Sequence, residues 1–373
     1  MSKSRNALSA EGPAGQPLAE VSEGGLWKAW VHFWFTPADP TGLHAIRVLA
    51  GVLFLSWLLG FAGHENEMFG LQGWFDTQAY KEASRMQPPN GPPAPITWSL
   101  VYLCGENTAA VTALYWASVA VLLLFTLGIA TRITSVLTWL VVGSFTANPL
   151  ISYDGDALLL ILAFYLMVGY VLLGQWNGGL SWLGRLFGSS RDWLLGPVAR
   201  PQSLAANLTM RLLQVHFTIL VVVAGLHKLQ SGDWWSGAAL WYPLYPPFTT
   251  KLSEVRSLAG RRDFYLIMVS LATYAVLAWQ LGFPLFAWRQ RWRPILVGGA
   301  LIGWLGTAFL YQLPIFGPAF VIGSLCFLTP DEWSWLTGWL PRVPALERLR
   351  LAESPRTVDQ GARRSAQTPV TTG

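Results

Sequence analysis

The polar chemistry of this chain is concentrated between Arg211 and Leu240, in the run RLLQVHFTILVVVAGLHKLQSGDWWSGAAL. Gln214 and His216 begin an apolar helical stretch, His227 and Lys228 close it, and Asp233, Trp234, Trp235 and Gly237 follow. At 1.5 Å of rise per residue, Lys228 lies about 18 Å from His216, so the two cannot share one site through this helix alone. Lys228 belongs at the rim, with His227 beside it and Asp233 one turn away. An amine held in an apolar, poorly solvated place loses part of its preference for the charged form and can serve as a base. Trp234, Trp235 and Tyr242 are the aromatic groups expected to wall a pocket around it. The competing reading is a lysine that snorkels to the membrane interface, and composition alone favours that one.

A second polar cluster reads Asn148-Pro149-Leu150-Ile151-Ser152-Tyr153-Asp154-Gly155-Asp156. Two carboxylates two residues apart can bind a cation or orient a base. Without a third or fourth hard ligand at fixed spacing, however, the metal signal is weak. The plainer reading is a loop that caps the next helix, with Asp154 or Asp156 near its N-terminus. His44, Arg47 and Arg132 fall at predicted helix ends, where snorkelling accounts for them. There is no P-loop, dinucleotide fingerprint or HExxH pair.

The elements that must position these groups are membrane helices. Only 12% of the 373 residues are charged and 53% are hydrophobic, against about 25% charged in ordinary soluble domains. Such a chain cannot build a soluble surface, which excludes a disordered, collagenous or nucleic-acid-binding plan. The net charge of +5 then reports membrane orientation, not a polyanion partner. Two cysteines, Cys104 and Cys326, cannot form a disulfide framework or a cysteine zinc site. No cleavable signal peptide is visible.

The expected fold is all-α: a polytopic helical bundle of about eight transmembrane helices. They are placed near Leu43–Gly63, Ala109–Gly128, Ile133–Asn148, Ala157–Gly174, Leu212–Leu229, Phe264–Trp288, Ile295–Gln312 and Pro314–Thr329. The third and eighth are short for a hydrocarbon layer of ~30 Å, and so are re-entrant or buried candidates. Trp27–Phe35 (WKAWVHFWF) reads as an interfacial amphipathic helix. Residues 1–26 are expected as a flexible cytoplasmic tail, 27–340 as the transmembrane domain and 341–373 as a disordered cytoplasmic tail. With the N-terminus inside, Lys28, Arg47, Arg132, Arg185, Arg191, Arg200, Arg289, Arg291 and Arg293 share the cytoplasmic side, and Cys104 and Cys326 lie on opposite sides. The acidic loop with Glu65, Glu67, Asp76, Glu82 and Glu106 then faces outward. The outer stretch with Lys251, Arg256, Arg261 and Arg262 runs against this rule. The expected location is a bacterial cytoplasmic membrane.

Several pieces, taken in order, resemble the HTTM (horizontally transferred transmembrane) domain, the bacterial relatives of the vitamin K-dependent gamma-carboxylase. They are WVHFWF, LHAIRVLAGVLFL, GLQGWFD, LGIATRITSVLTWLVVGSFTANPLISYDGDALL and RLLQVHFTILVVVAGLHKLQSGDWWSGAALWY. The carboxylase carries its catalytic lysine in a Gly-x-Lys-Lys-Leu stretch followed by Asp-Trp and Gly. The corresponding stretch here is GLHKLQSGDWWSG: Lys228 takes the second lysine position, His227 replaces the first, and Asp233, Trp234 and Gly237 match the rest. The resemblance implies a lysine base that deprotonates reduced vitamin K or another quinol, with CO2 and O2 as co-substrates and a Glu-containing peptide as acceptor. Where many HTTM proteins have Glu, this chain has Gln280, and its seventh span lacks their histidine.

The expectation is therefore a membrane enzyme with Lys228 as catalytic base. His227, Asp233, Trp234, Trp235, Gly237, Tyr242, Asn148, Asp154 and Asp156 are the candidate binding residues, membrane lipids the surroundings, and neither a metal nor a nucleic acid a partner. A non-catalytic lipid-binding, transport or scaffold protein is the alternative. In that reading, His216 and Gln214 are the main polar groups away from the rims.

Overall fold

The long helices start and stop where side chains can satisfy their exposed backbone ends. Ser203 Oγ accepts from Ala206 N at 3.4 Å, and Asn107 Oδ1 from Ala110 N at 3.2 Å, taking up amides that a first turn leaves unpaired. Gly128 adopts φ +87°, and Ile129 N reaches back to Leu124 O at 2.9 Å. This is a left-handed helix stop that glycine adopts at little steric cost.

The structure is a computed structural model that describes residues 25–70, 98–104, 107–148, 154–173, 202–245, 250–257 and 261–338, with isolated positions between 73 and 85. In chain order the helices are α1 (Gly25–Phe35), α2 (Thr41–Leu59), α3 (Glu65–Phe69), α4 (Leu100–Leu103), α5 (Thr108–Leu127), α6 (Thr131–Thr146), α7 (Asp154–Leu172), α8 (Leu204–Lys228), α9 (Gly232–Trp235), α10 (Trp241–Leu244), α11 (Leu252–Ser257), α12 (Arg262–Phe286), α13 (Arg293–Gly299), α14 (Leu305–Leu310), α15 (Phe316–Leu325) and α16 (Pro330–Gly338). A π-helical turn, Ala300–Trp304, joins α13 to α14. The protein is all-α; among the described residues there is one isolated bridge, Ala38 to Ser203, and no strand. Asp76, Glu106, Arg185, Arg191, Arg200, positions 149–153 of the second polar cluster and most of both tails lie outside the described residues.

Among the described residues, six helices are long and apolar enough to cross a bilayer: Thr41–Leu59, Thr108–Leu127, Gly155–Leu172, Leu204–Lys228, Arg262–Phe286 and the combined Gln290–Leu310. The expected third and eighth spans are α6, of 16 residues, and α15, of 10 residues. At 1.5 Å per residue they reach only about 24 and 15 Å. Helix α15 buries Gly317, Ala319, Phe320, Ile322, Gly323 and Ser324, so it is an internal packing element. Helix α2 is the most enclosed of the six, with 67% of its apolar window buried, whereas Gln290–Leu310 is the least, with 17%. Lipid, not protein, must therefore solvate most of that last span.

Hydrogen bonds tie the helix ends into two groups. At one end, Asn207 Nδ2 donates to the carbonyls of Phe33 and Trp34 at 3.0 and 2.9 Å. The Arg211 guanidinium lies 4.3 Å from the Phe33 ring centroid, which docks α1 against α8. Arg132 Nη2 caps Leu173 O at 2.6 Å. At the other end, Tyr115 Oη donates to Leu58 O at 2.6 Å, Ser99 Oγ to Ser144 O at 2.7 Å, and Asn148 Nδ2 to Met68 O at 2.9 Å. This is the alternation that successive antiparallel spans require.

His44 and Arg47 differ from expectation. They are 1% and 0% exposed, so neither snorkels to water. Tyr170 Oη meets His44 Nδ1 at 2.7 Å and accepts from Arg47 Nη1 at 3.4 Å. Burying a cation this fully requires such partners.

The chain divides into two compact units, Met1–Leu328 and Thr329–Gly373. In the second, α16 begins with a capping box: Thr329 N donates to Glu332 Oε2 at 2.7 Å, and Glu332 N to Thr329 Oγ1 at 3.4 Å. The box satisfies two first-turn amides reciprocally.

Candidate functional site

Lys228 is the last residue of α8 and is half-buried. Its Nζ donates to Ala224 O at 3.5 Å and stands 5.2 Å from the Trp234 ring centroid. Among the described residues the ion pairs are His64–Glu67 and Arg262–Asp263, so no carboxylate neutralises Lys228. Asp233 lies one turn away, as its spacing suggests, but is exposed, and its backbone carbonyl accepts from Ala238 N at 2.9 Å. His227 is exposed beside Lys228.

The segment that brings Trp234 to the amine is held by backbone geometry. Gly237 has φ +74°, and a Cβ there would stand 2.9 Å from Ser270 Oγ and 3.0 Å from Ser270 Cβ. Glycine is required twice, for the left-handed conformation and for the close approach to α12. Tyr274 Oη donates to Trp235 O, and Trp235 Nε1 to Leu229 O, each at 2.6 Å. Trp235 and Tyr242 are 63% and 53% exposed. Of the three expected wall residues, only Trp234 packs on Lys228.

The second sequence cluster sits elsewhere. Asn148 is buried and spends its amide on Met68 O, while Asp154 and Asp156 fall in the first turn of α7, with Asp156 buried. That placement matches the helix-capping reading, because carboxylates near a helix N-terminus face its unpaired amides. Lys228 contacts Ala224 and Trp234, neither of which belongs to this cluster. No group of three or more His, Cys, Asp or Glu side chains among the described residues has a metal-binding arrangement.

A different polar pair lies within the bundle. Tyr165 Oη and His216 Nδ1 are 2.8 Å apart, joining α7 to α8. His216 also lines a narrow groove between α7, α8 and α15, with otherwise apolar walls that include Leu162, Leu213, Phe217 and Ala319. The sequence marks His216 as a polar residue inside a span, but nothing in it marks Tyr165, 51 positions away, as its partner. Two residues earlier on α8, Gln214 is fully engaged. Its Oε1 accepts from Arg211 Nη1 at 2.9 Å and from Trp288 Nε1 at 3.2 Å, and its Nε2 donates to Cys326 O at 2.9 Å. The chain matches no family model, no curated protein and no solved structure.

Proposed function

We propose that the protein is an integral membrane enzyme resembling the vitamin K-dependent gamma-carboxylase, with Lys228 as a base that activates a quinol or lipid cofactor at the outer face. The observation that carries this reading is a half-buried lysine at a helix end, with no carboxylate partner among the described residues and with an aromatic ring beside its amine. A rim lysine can snorkel into water at little cost, but Lys228 stays half-buried against Trp234 and so gives up part of its hydration, which favours a chemical duty. When bound, a reduced quinone supplies an acidic hydroxyl. In its neutral form Lys228 accepts a proton at Nζ, Trp234 holds the amine in place, and Gly237 holds Trp234. Trp235 and Tyr242, turned outward, fit contact with surrounding lipid better than the wall of a deep pocket. By the positive-inside rule, the end carrying Arg132, Arg211 and Arg293 is cytoplasmic, which places Lys228 and Cys104 outside.

The test uses protein in lipid nanodiscs with reduced vitamin K, oxygen, labelled bicarbonate and a Glu-containing peptide, and runs Lys228→Ala beside the wild type. Lys228-dependent quinol epoxidation supports the enzyme, and label in the peptide makes it a carboxylase. Turnover unchanged by Lys228→Ala, or none of either kind, refutes the assignment. One observation favours the alternative of a non-catalytic lipid-binding protein: the groove lined by His216 lies away from Lys228.

A further inference from the structure

We infer that the groove between α7, α8 and α15 binds a membrane-dissolved molecule whose carbonyl oxygen, carried on an apolar body, accepts a hydrogen bond from His216 Nε2. The site is distinct from the Lys228 reading and does not depend on it. His216 is twelve residues from each end of α8, about 18 Å from either rim, and thus near the bilayer midplane. A polar ionisable side chain at that depth is costly and is retained in proportion to what it binds.

The hydrogen bond to Tyr165 fixes what the imidazole offers. A phenol is the stronger donor of the two, and Tyr165 Oη makes no hydrogen bond to another residue among the described ones, so it donates to Nδ1 at 2.8 Å. The ring proton then sits on Nε2, a donor with no protein partner among the described residues. In a hydrocarbon-walled groove an unmet N–H forfeits roughly 1–3 kcal/mol, which a ligand oxygen restores. The complement is an acceptor, and a neutral one, because an anion would lose its hydration at the midplane with no cation to replace it.

The shape narrows the class further. Leu158, Leu162, Leu213, Phe217, Leu220 and Ala319 present hydrocarbon around the imidazole. Gly323 lets the Phe217 ring lie directly against α15, which keeps the groove narrow. In so narrow a groove, a carbonyl at the edge of a flat ring or on a slender chain can approach the imidazole, whereas a bulky headgroup cannot. Ester carbonyls of bilayer lipids lie near the interface, about 15 Å from the midplane. That depth favours a freely dissolved carbonyl compound of the quinone type over an anchored lipid.

The experiment is calorimetric titration of protein in lipid nanodiscs, corrected with empty nanodiscs, using three ten-carbon-tailed probes: a benzoquinone, the matching alkylbenzene and a fatty-acid methyl ester. The wild type is expected to prefer the benzoquinone to the alkylbenzene by about fivefold, the size of one net hydrogen bond. His216→Phe should bring that ratio to about one, and His216→Gln, which keeps an N–H donor, should retain part of it. Tyr165→Phe should lower it, since the imidazole proton is then free to sit on either nitrogen. Lys228→Ala should leave it unchanged, so failure of the enzyme reading and failure of this one are separable. A methyl ester that competes as well as the benzoquinone supports the carbonyl site and assigns it to acyl lipid. Equal binding of benzoquinone and alkylbenzene by the wild type, or a preference that survives His216→Phe, overturns the inference.

Discussion

Replacing Gly237 with alanine tests whether the α9 turn is what presents Trp234 to Lys228. Gly237 sits at φ +74°, and the left-handed region costs an alanine about 1–2 kcal/mol. The added Cβ would lie 2.9 Å from Ser270 Oγ, 3.0 Å from Ser270 Cβ and 3.2 Å from Ser270 Cα, and overpacking of that kind costs about 1–3 kcal/mol. The two penalties do not simply add, because the turn can escape both by leaving α12. Escape sacrifices the Tyr274–Trp235 hydrogen bond and the Trp234–Lys228 contact, about 1–2 kcal/mol together. The expected loss is therefore capped at about 1–2 kcal/mol, the cost of that escape, with the change confined to the α9 turn. Two assays read it: reversible unfolding in mixed micelles for stability, and mass-spectrometric amine labelling for Lys228, which should label faster once Trp234 moves away. Adding Ser270→Gly removes the two side-chain clashes but not the dihedral cost, so the double variant should regain part of the loss in a coupled way. A Gly237→Ala protein within about 0.5 kcal/mol of wild type, the spread of an ordinary surface change, and with unaltered Lys228 labelling would refute the reasoning.

Three further outcomes are expected. Gln214→Leu should destabilise by about 2–4 kcal/mol in the same unfolding assay, because it strands Trp288 Nε1 and Cys326 O as well as losing the Arg211 bond. Gln280→Leu should be neutral or stabilising by about 1 kcal/mol, since Gln280 is 2% exposed and its Oε1 has no partner among the described residues. In intact spheroplasts, a membrane-impermeant maleimide should label Cys104, which is partly exposed, and not Cys326, which is buried. Desolvation raises the Cys104 thiol above its ordinary range, so labelling should be slow at neutral pH and keep accelerating as pH passes the usual thiol value; labelling of Cys104 only in inverted vesicles would reverse the orientation.

The sequence discloses depth along a helix far better than it discloses neighbours. The end of α8 was legible because an apolar stretch runs into His227 and Lys228, whereas its start at Leu204, capped by Ser203, lies eight residues before the expected Leu212. The same logic located the spans and the short third and eighth elements, since length against bilayer thickness is a one-dimensional comparison. It misread His44 and Arg47. Their place near the start of α2 suggested a rim, yet α2 is the most enclosed span and Tyr170 of α7 closes over them. Enclosure depends on which helices surround α2, and no periodicity within α2 carries that. Gly237 is the intermediate case. The resemblance marked its position, but its reason is the Ser270 surface of α12, 33 residues away.

Polar residues inside the bundle separate by what their remaining hydrogen-bonding atoms face. Gln214 has partners on both amide atoms and is thereby accounted for as a brace among α8, Trp288 and Cys326. Gln280 has an oxygen with no partner, but that atom is sealed from solvent and ligand alike, so it is a cost without an opening. His216 alone of these three has one ring atom fixed by a neighbour while its side chain borders empty space. Burial by itself would have favoured Gln214 and Gln280 over the half-buried His216, and titratability would have singled out Lys228 instead. A donor left unmet on a side chain that borders such a groove is the stronger pointer to a ligand, because the free energy lost there is recoverable only by something that enters.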